Sequence, residues 1–252
     1  MKPIIQSFFI LIICVMVAFS QSAQEWIQQG DEAYGKFDNT AALEAYQKAV
    51  ELDPNNYDAL WKLSRAYVDV GEKLKDKNQR KQYYKRAEEY ARKAIEINPN
   101  GAKGHLYLSI ALGRVALDAS PKERIRMSKE IKAEVDKALA LDPNDDIAWH
   151  VLARWHRKLS TLSWIEKKFA NIFLGGVPKE ASIEKAVEAF QKAIELNPDH
   201  INHHLQLAIT YEKMGEKDKA IAEYKKVLEL PVKDADDPEH KQYAKERLED
   251  LE

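Results

Sequence analysis

The chain has 252 residues, 45% of them hydrophobic and 32% charged, with a formal net charge of -2. That apolar share excludes global disorder, and nine glycines with nine prolines are too few for a turn-rich β protein. The charge balance leaves no polycation to draw nucleic acid.

Residues 1–20 read apart from the rest. Met1-Lys2-Pro3 precedes a mostly apolar run from Ile4 to Phe19, and Ser20-Gln21-Ser22-Ala23 follows it. A positive start, an apolar stretch and a small-residue exit predict a secretory signal peptide cut after Ser20. The other reading is an uncleaved membrane anchor through residues 4–19, although that run is shorter than the ~20 residues of a spanning helix. Cys14 is the only cysteine, and Ile13 before it is too large for a lipobox. Cleavage would leave a chain with no disulfide, thiolate nucleophile or cysteine-ligated metal. The expected location is therefore the periplasm or the cell surface, as a secreted or periplasmic protein.

Residues 22–232 carry an internal repeat. Four segments end alike, AVELDPNN at 49–56, AIEINPNG at 94–101, ALALDPND at 138–145 and AIELNPDH at 193–200, and VLELPVKD at 227–234 is a degenerate fifth. Each is an apolar helical tail closed by Asp or Asn and then proline, a pair that stops one helix before the next begins. In the first unit Trp26, Gly30, Ala42, Tyr46, Ala49 and Pro54 fall at the spacing of a tetratricopeptide repeat of about 34 residues. Leu207, Ala208, Tyr211, Gly215, Ala220 and Tyr224 repeat that match in the last unit. The successive proline distances between are 45, 44 and 55 residues, so the middle units hold insertions between their two helices. Glu72–Gln82 and Ala116–Ser128 predict longer helices, by about one and a half turns on each arm. Leu159–Glu180 predicts an added short helix over 162–174, stopped by Gly175-Gly176. Residues 237–252 are polar and helical and suit a capping helix. The fold class is all-α, an α-solenoid of about five tetratricopeptide-like helix pairs with extended inter-helix insertions.

With these insertions in place, Leu152-Ala153-Arg154-Trp155, Leu162-Ser163-Trp164-Ile165-Glu166-Lys167-Lys168 and Phe173 before Pro178 resemble the regulator of microtubule dynamics family. Members of that family have an Arg-Trp helix, a Ser-Trp-(Leu/Ile/Phe)-Glu-Lys segment and a repeat ending in Glu-Leu-Asn-Pro, here Glu195-Leu196-Asn197-Pro198. The resemblance spans roughly residues 53–229. It implies a tetratricopeptide-like fold and a binding role, with a membrane-associated scaffold serving cytoskeletal or organelle-membrane partners as the alternative to a periplasmic or surface adaptor.

Catalytic chemistry is not expected. There is no Gly-rich phosphate loop, HExxH motif or nucleophile elbow, and Gly175-Gly176-Val177-Pro178 reads as a helix stop. His200 and His204 could share a helix face, but no carboxylate or cysteine completes a convincing set with them and His203, and His200 falls in the turn after Pro198, so a polar helix start is expected rather than a metal site. No cofactor is implied. The groove is more informative, because the first helix of each unit lines the concave face of such a solenoid. The register puts Trp61, Arg65, Leu106, Arg114, His150, Arg154, Arg157 and Leu205 there. Trp61, Arg65, Arg114, His150, Arg154 and Arg157 are the candidate contacts for a protein or peptide partner. An acidic or carboxylate-ended segment suits the arginines, which bind carboxylates bidentately. Alternatively Arg65 and Arg154 pair with acidic groups of neighbouring helices. The basic run from Lys73 to Arg86 either steers an anionic partner or is a solvated arm. Trp164, Phe169 and Phe173 form an apolar stripe with Ile165 and Ile172, expected to pack the inserted helix onto the solenoid, with membrane contact as the secondary role.

Overall fold

The computed structural model describes residues 21–173, 176 and 178–252, with the side chains of 169, 170, 172 and 173 left undefined. The signal-peptide reading of residues 1–20 lies outside the described residues. Twelve α-helices are present among them, and no strand. In chain order they are α1 (Ala23–Gly35), α2 (Asn39–Leu52), α3 (Tyr57–Lys73), α4 (Lys77–Ile97), α5 (Ala102–Val115) and α6 (Pro121–Leu141). The second half comprises α7 (Asp146–Ser160), α8 (Trp164–Phe173), α9 (Ile183–Leu196), α10 (Ile201–Met214), α11 (Lys217–Glu229) and α12 (Asp237–Leu251). The antiparallel pairs are α1/α2, α3/α4, α5/α6, α7/α9 and α10/α11, with α12 packed on α10 and α11.

One local device sets the register. Asp53, Asn98, Asp142 and Asn197 each end a helix by donating a backbone N–H to the carbonyl of an alanine four residues back, Ala49, Ala94, Ala138 or Ala193. Those alanines are buried, so the partner helix can approach closely there. The proline that follows has no N–H and cannot extend the helix. Six residues past it, a ring nitrogen turns back to the proline carbonyl in three of the units: His105 at 3.0 Å, Trp149 at 2.9 Å and His204 at 2.9 Å. The other ring nitrogen of His105 meets Glu134 at 2.6 Å, and that of His204 meets Glu223 at 2.7 Å. These two histidines therefore hold their units together.

The insertions do not lengthen both arms equally. Helices α4 and α6 have 21 residues each, whereas α5 has 14, as many as α10. The excess in the third unit falls on the second arm because α5 gives way to a tight turn at Ala116–Asp118, and Ser120 restarts the chain with a capping box and Pro121. Two large buried clusters, one over α1 to α5 and one over α7 and α9 to α12, are joined by smaller ones between α4 and α7. Each unit thus packs mainly on its neighbours.

Gly30 shows how tight the first pair is. A Cβ at this position would fall inside the ring of Tyr46, a fully buried side chain whose hydroxyl donates to Asp31 at 2.7 Å. Gly30→Ala should lower unfolding free energy by about 1–3 kcal/mol, the range of overpacking, as a lower urea midpoint at unchanged slope.

Candidate functional site

The first helices α3, α5 and α7 stand side by side. On α3 the spacing of Trp61, Arg65, Asp69 and Glu72 puts all four on one face. Trp61 stacks on Tyr107 of α5 with ring centres 5.4 Å apart, and its Nε1 donates to Asp58. The Arg65 guanidinium lies 3.6 Å over the Tyr34 ring and donates to the Tyr46 hydroxyl at 3.1 Å. Arg114 pairs with Glu72. Arg154, which projects from α7 toward the same charges, makes no hydrogen bond or ion pair with any described residue. Burial, and then the Arg114 and Arg157 cations, push its pKa down, with Glu72 opposing. A guanidinium nevertheless stays charged, so this half-buried cation is held beside two like charges. On α3, Arg65 Nε and Asp69 Oδ2 are buried polar atoms with no partner among the described residues.

The last unit returns to the first. Lys73 at the end of α3 bridges Asp236 at 2.8 Å and Glu239 at 2.7 Å, at the start of α12. Lys233, Asp234 and Ala235 line a small cleft together with Tyr34, Gly35, Phe37 and Asn39. An acidic turn of the chain itself thus closes one side of the arginine-bearing face. Asp237 shapes that turn by accepting from the N–H groups of Lys233 and Asp234.

Of the predicted contacts, the structure gathers Trp61, Arg65, Arg114 and Arg154 on one face and sends the others inward. Leu106 and Leu205 are core residues at 0% and 3% exposure. Arg157 is buried and donates to the Gln206 carbonyl at 2.7 Å and to Thr210 at 3.2 Å, tying α7 to α10. His150 is buried against His203, with their Nδ1 atoms 2.9 Å apart. These are corrections, since the register places a residue on a helix face without saying how deeply the next unit covers it. Arg65 and Arg154 do not pair with acidic neighbours; that pairing falls to Arg114. Tyr34, Tyr107, Asp69 and Glu72 were missed, although the steps from Arg65 to Asp69 and Glu72 could have flagged the two acids.

The histidine reading also changes. Asp146 on α7, 57 residues before His203, brings its Oδ2 to 2.9 Å from His203 Nε2. Burial pushes His200 down to about 4 and His150 well below its ordinary value, so both are neutral near pH 7. On α8, Trp164 and Ile165 are 71% and 70% exposed, so these two do not pack the inserted helix as expected. The Phe169 and Phe173 side chains lie outside the described ones. In the basic run, Lys77 pairs with Asp118 at 3.0 Å and Arg86 with Glu89 at 3.3 Å.

Helix pairs of this register, with buried small residues at fixed steps before each proline, define a tetratricopeptide-like solenoid. The fold is that of a thermophilic tetratricopeptide protein of Thermus thermophilus, which matches with a TM-score of 0.65 at 22% identity over 88% of this chain and 98% of that one. The chain belongs to the regulator of microtubule dynamics family, whose description, regulator of microtubule dynamics protein 1-3, matches residues 26–252. It is 31% identical over 209 residues to regulator of microtubule dynamics protein 3 of Bos taurus, covering 81% of this chain and 44% of that protein. It is 28% identical to regulator of microtubule dynamics protein 1 of Caenorhabditis elegans, covering 82% of this chain and 91% of that one. The chain therefore spans less than half the length of the bovine relative. Export to a periplasm is corrected by these comparisons, because the relatives are eukaryotic regulators of microtubule dynamics. Among the described residues no helix is long and apolar enough to cross a membrane.

Burial is the main cause that pushes Asp69 up to about 8; Arg65 opposes it, while Glu72, Asp234 and Asp236 add to it. An unfolded aspartate titrates near 3.9. Between about pH 4 and 8 the folded chain binds more protons at this site than the unfolded one, so its contribution to stability falls as pH rises. Asp69→Asn should leave stability unchanged below pH 4 and raise it by about 1–3 kcal/mol at pH 8, read as a flatter profile of denaturation midpoint against pH.

Proposed function

We propose that this chain is a non-catalytic interaction module that takes a protein segment against the face built from Arg65, Asp69, Arg114 and Arg154. The observation that carries the reading is that Arg154 lacks any ion pair while Arg65 Nε and Asp69 Oδ2 lack hydrogen-bond partners, on first helices that flank α5. Buried polar groups are almost always satisfied, so the two orphaned atoms on α3, with an unpaired and partly exposed cation on α7, favour an outside partner. An acidic segment is the chemistry that suits them. The chain's own acidic turn already meets Lys73 at the rim of the same face. Protein partners are what a tetratricopeptide-like fold serves, and the relatives' name, regulator of microtubule dynamics, makes a cytoskeletal partner the first to try.

The test is cross-linking of the full chain in a eukaryotic extract, identification of the captured segment, and anisotropy titration of that segment. Arg65→Ala with Arg154→Ala should keep the helical circular dichroism and weaken binding at least tenfold, the ~1.4 kcal/mol of one charge-assisted hydrogen bond. Unchanged affinity in the double variant would sink the groove reading.

A second reading is a membrane-associated scaffold, favoured by the exposure of Trp164 and Ile165 next to exposed Lys167 and Lys168 on α8. Co-flotation with anionic vesicles should then be lost when Trp164 and Ile165 are both changed to serine. Equal flotation of the two proteins would rule that contact out.

A further inference from the structure

The repeat supplies its own controls for one cluster that the groove does not use. Count residues from each helix-stopping proline. The third position of one unit faces the second and fifth positions of the next. Between the second and third units this slot holds one phenol. The Tyr57 hydroxyl accepts from the Gly104 N–H at 2.9 Å, and a Cβ on Gly101 would strike its ring. The fifth position is small in three units, as Ala59, Gly104 and Ala148. Between the fourth and fifth units the same slot holds Asp146 in place of the tyrosine, and His200 and His203 in place of the two glycines.

The histidines are not a substitute for caps or packing. His200 occupies the N-cap position of α10 but makes no side-chain cap bond, whereas Asn56 and Asp145 at the matching positions both do. Its Nδ1 is buried without a partner. His203 is 0% exposed where the other units carry alanine or glycine. Asn197 has also left its usual work. Asp53, Asn98 and Asp142 accept an N–H two residues on, but Asn197 Nδ2 donates to Asp146 Oδ2 at 2.9 Å. His204 stands outside the set, since both of its ring nitrogens are already bonded.

We infer that Asp146, His200 and His203 form a site for one divalent transition-metal ion, of the zinc, cobalt or nickel class, at the junction of α7 and α10. One ligand atom from each residue lies within 4.8 Å of the others, and two imidazoles with one carboxylate suit those ions. Asp146 Oδ2 and His203 Nε2 are already 2.9 Å apart, about the edge of a coordination polyhedron. The ion would displace the proton that joins them. His203 would then keep a proton on Nδ1 and donate it to His150 Nδ1, 2.9 Å away, so that His150 fixes the tautomer behind the ligand. His200 now stacks parallel to His203 with ring centres 4.0 Å apart, so it must tilt to bring a nitrogen to the ion. It can do so, being the partly exposed residue with no hydrogen bond to break. The remaining coordination position opens to solvent, as Asp146 and His200 are both partly exposed.

The experiment uses the full chain, stripped with chelator and titrated with Co²⁺ and with Zn²⁺. Co²⁺ should give the visible absorption of a low-coordinate N/O site, saturating at one equivalent and abolished by excess Zn²⁺. Zn²⁺ should also raise the melting temperature. His200→Ala removes no hydrogen bond and should fold as before. It should bind at least tenfold more weakly and lose the thermal shift, while His240→Ala should bind as the unaltered chain does. Asp146→Asn is the second arm and should weaken binding likewise. No saturable cobalt spectrum, or one that is unchanged in His200→Ala, would overturn the site.

Discussion

Everything in this molecule hangs on four backbone hydrogen bonds, from Asp53, Asn98, Asp142 and Asn197 back to Ala49, Ala94, Ala138 and Ala193. Each closes a helix at a buried alanine, where only a methyl group separates the two arms of a pair. The proline that follows makes the stop permanent and starts a count that later residues obey. From it follow the helix starts at Tyr57, Ala102, Asp146 and Ile201 and the ring nitrogens that return to three proline carbonyls. A solenoid built this way has no single centre. Its units touch their neighbours, so each position in the count acquires a fixed neighbour in the next unit.

That geometry explains why the arginine-bearing face exists at all. Arg65 and Arg154 occupy the same count, eleven residues past Pro54 and Pro143, on first helices separated by α5. The intervening unit offers Glu72 an arginine, Arg114, from a position four residues later in the count. The acid is thereby used once, and Arg154 is left over. Burial then separates the outcomes: Arg65 rests on Tyr34 and Tyr46, while Arg154 faces the Arg114 and Arg157 cations with only the already paired Glu72 to offset them. The turn at 233–237 adds carboxylates from the far end of the chain, because the superhelix brings its last unit round to Lys73. Burial first, and then the like-charged Glu72, Asp234 and Asp236, leave Asp69 favouring its proton.

The fold was legible in the sequence because helix stops are local. Asp-Pro and Asn-Pro pairs, small residues at fixed steps and buried aromatics at Tyr46 and Tyr224 need no knowledge of distant contacts. The second-arm lengthening of α6 was less legible, since Ala116–Asp118 can continue a helix by propensity and only the capping box at Ser120 ends the ambiguity. Depth was not legible. Leu106, His150 and Arg157 lie on the helix face that the register assigns, yet each is covered by the following unit. Nor was the exposure of Trp164 and Ile165, whose stripe reads equally well as packing or as surface. Export was misjudged for a different reason: a leader-like composition at 1–20 says nothing of the family, and the eukaryotic relatives do.

The aspartate–histidine cluster shows what repeats add to sequence reading. Nothing within ten residues of His203 suggests Asp146, because the two meet only through the unit-to-unit offset. Aligned on the prolines, however, the sequence itself shows small residues at the fifth position three times and then a histidine. A position kept small by packing tolerates an imidazole only if the neighbour that filled the space has gone. Here the tyrosine of the earlier layer has become an aspartate, a change that opens room and adds a charge together. Two substitutions that are each unfavourable alone, a half-buried carboxylate and a fully buried imidazole, become compatible when they face each other. The surplus is His200, which the Asp146–His203 pair does not need and the helix start does not use. In a repeat protein the residues that depart from their own register are therefore the ones whose reasons lie outside the fold.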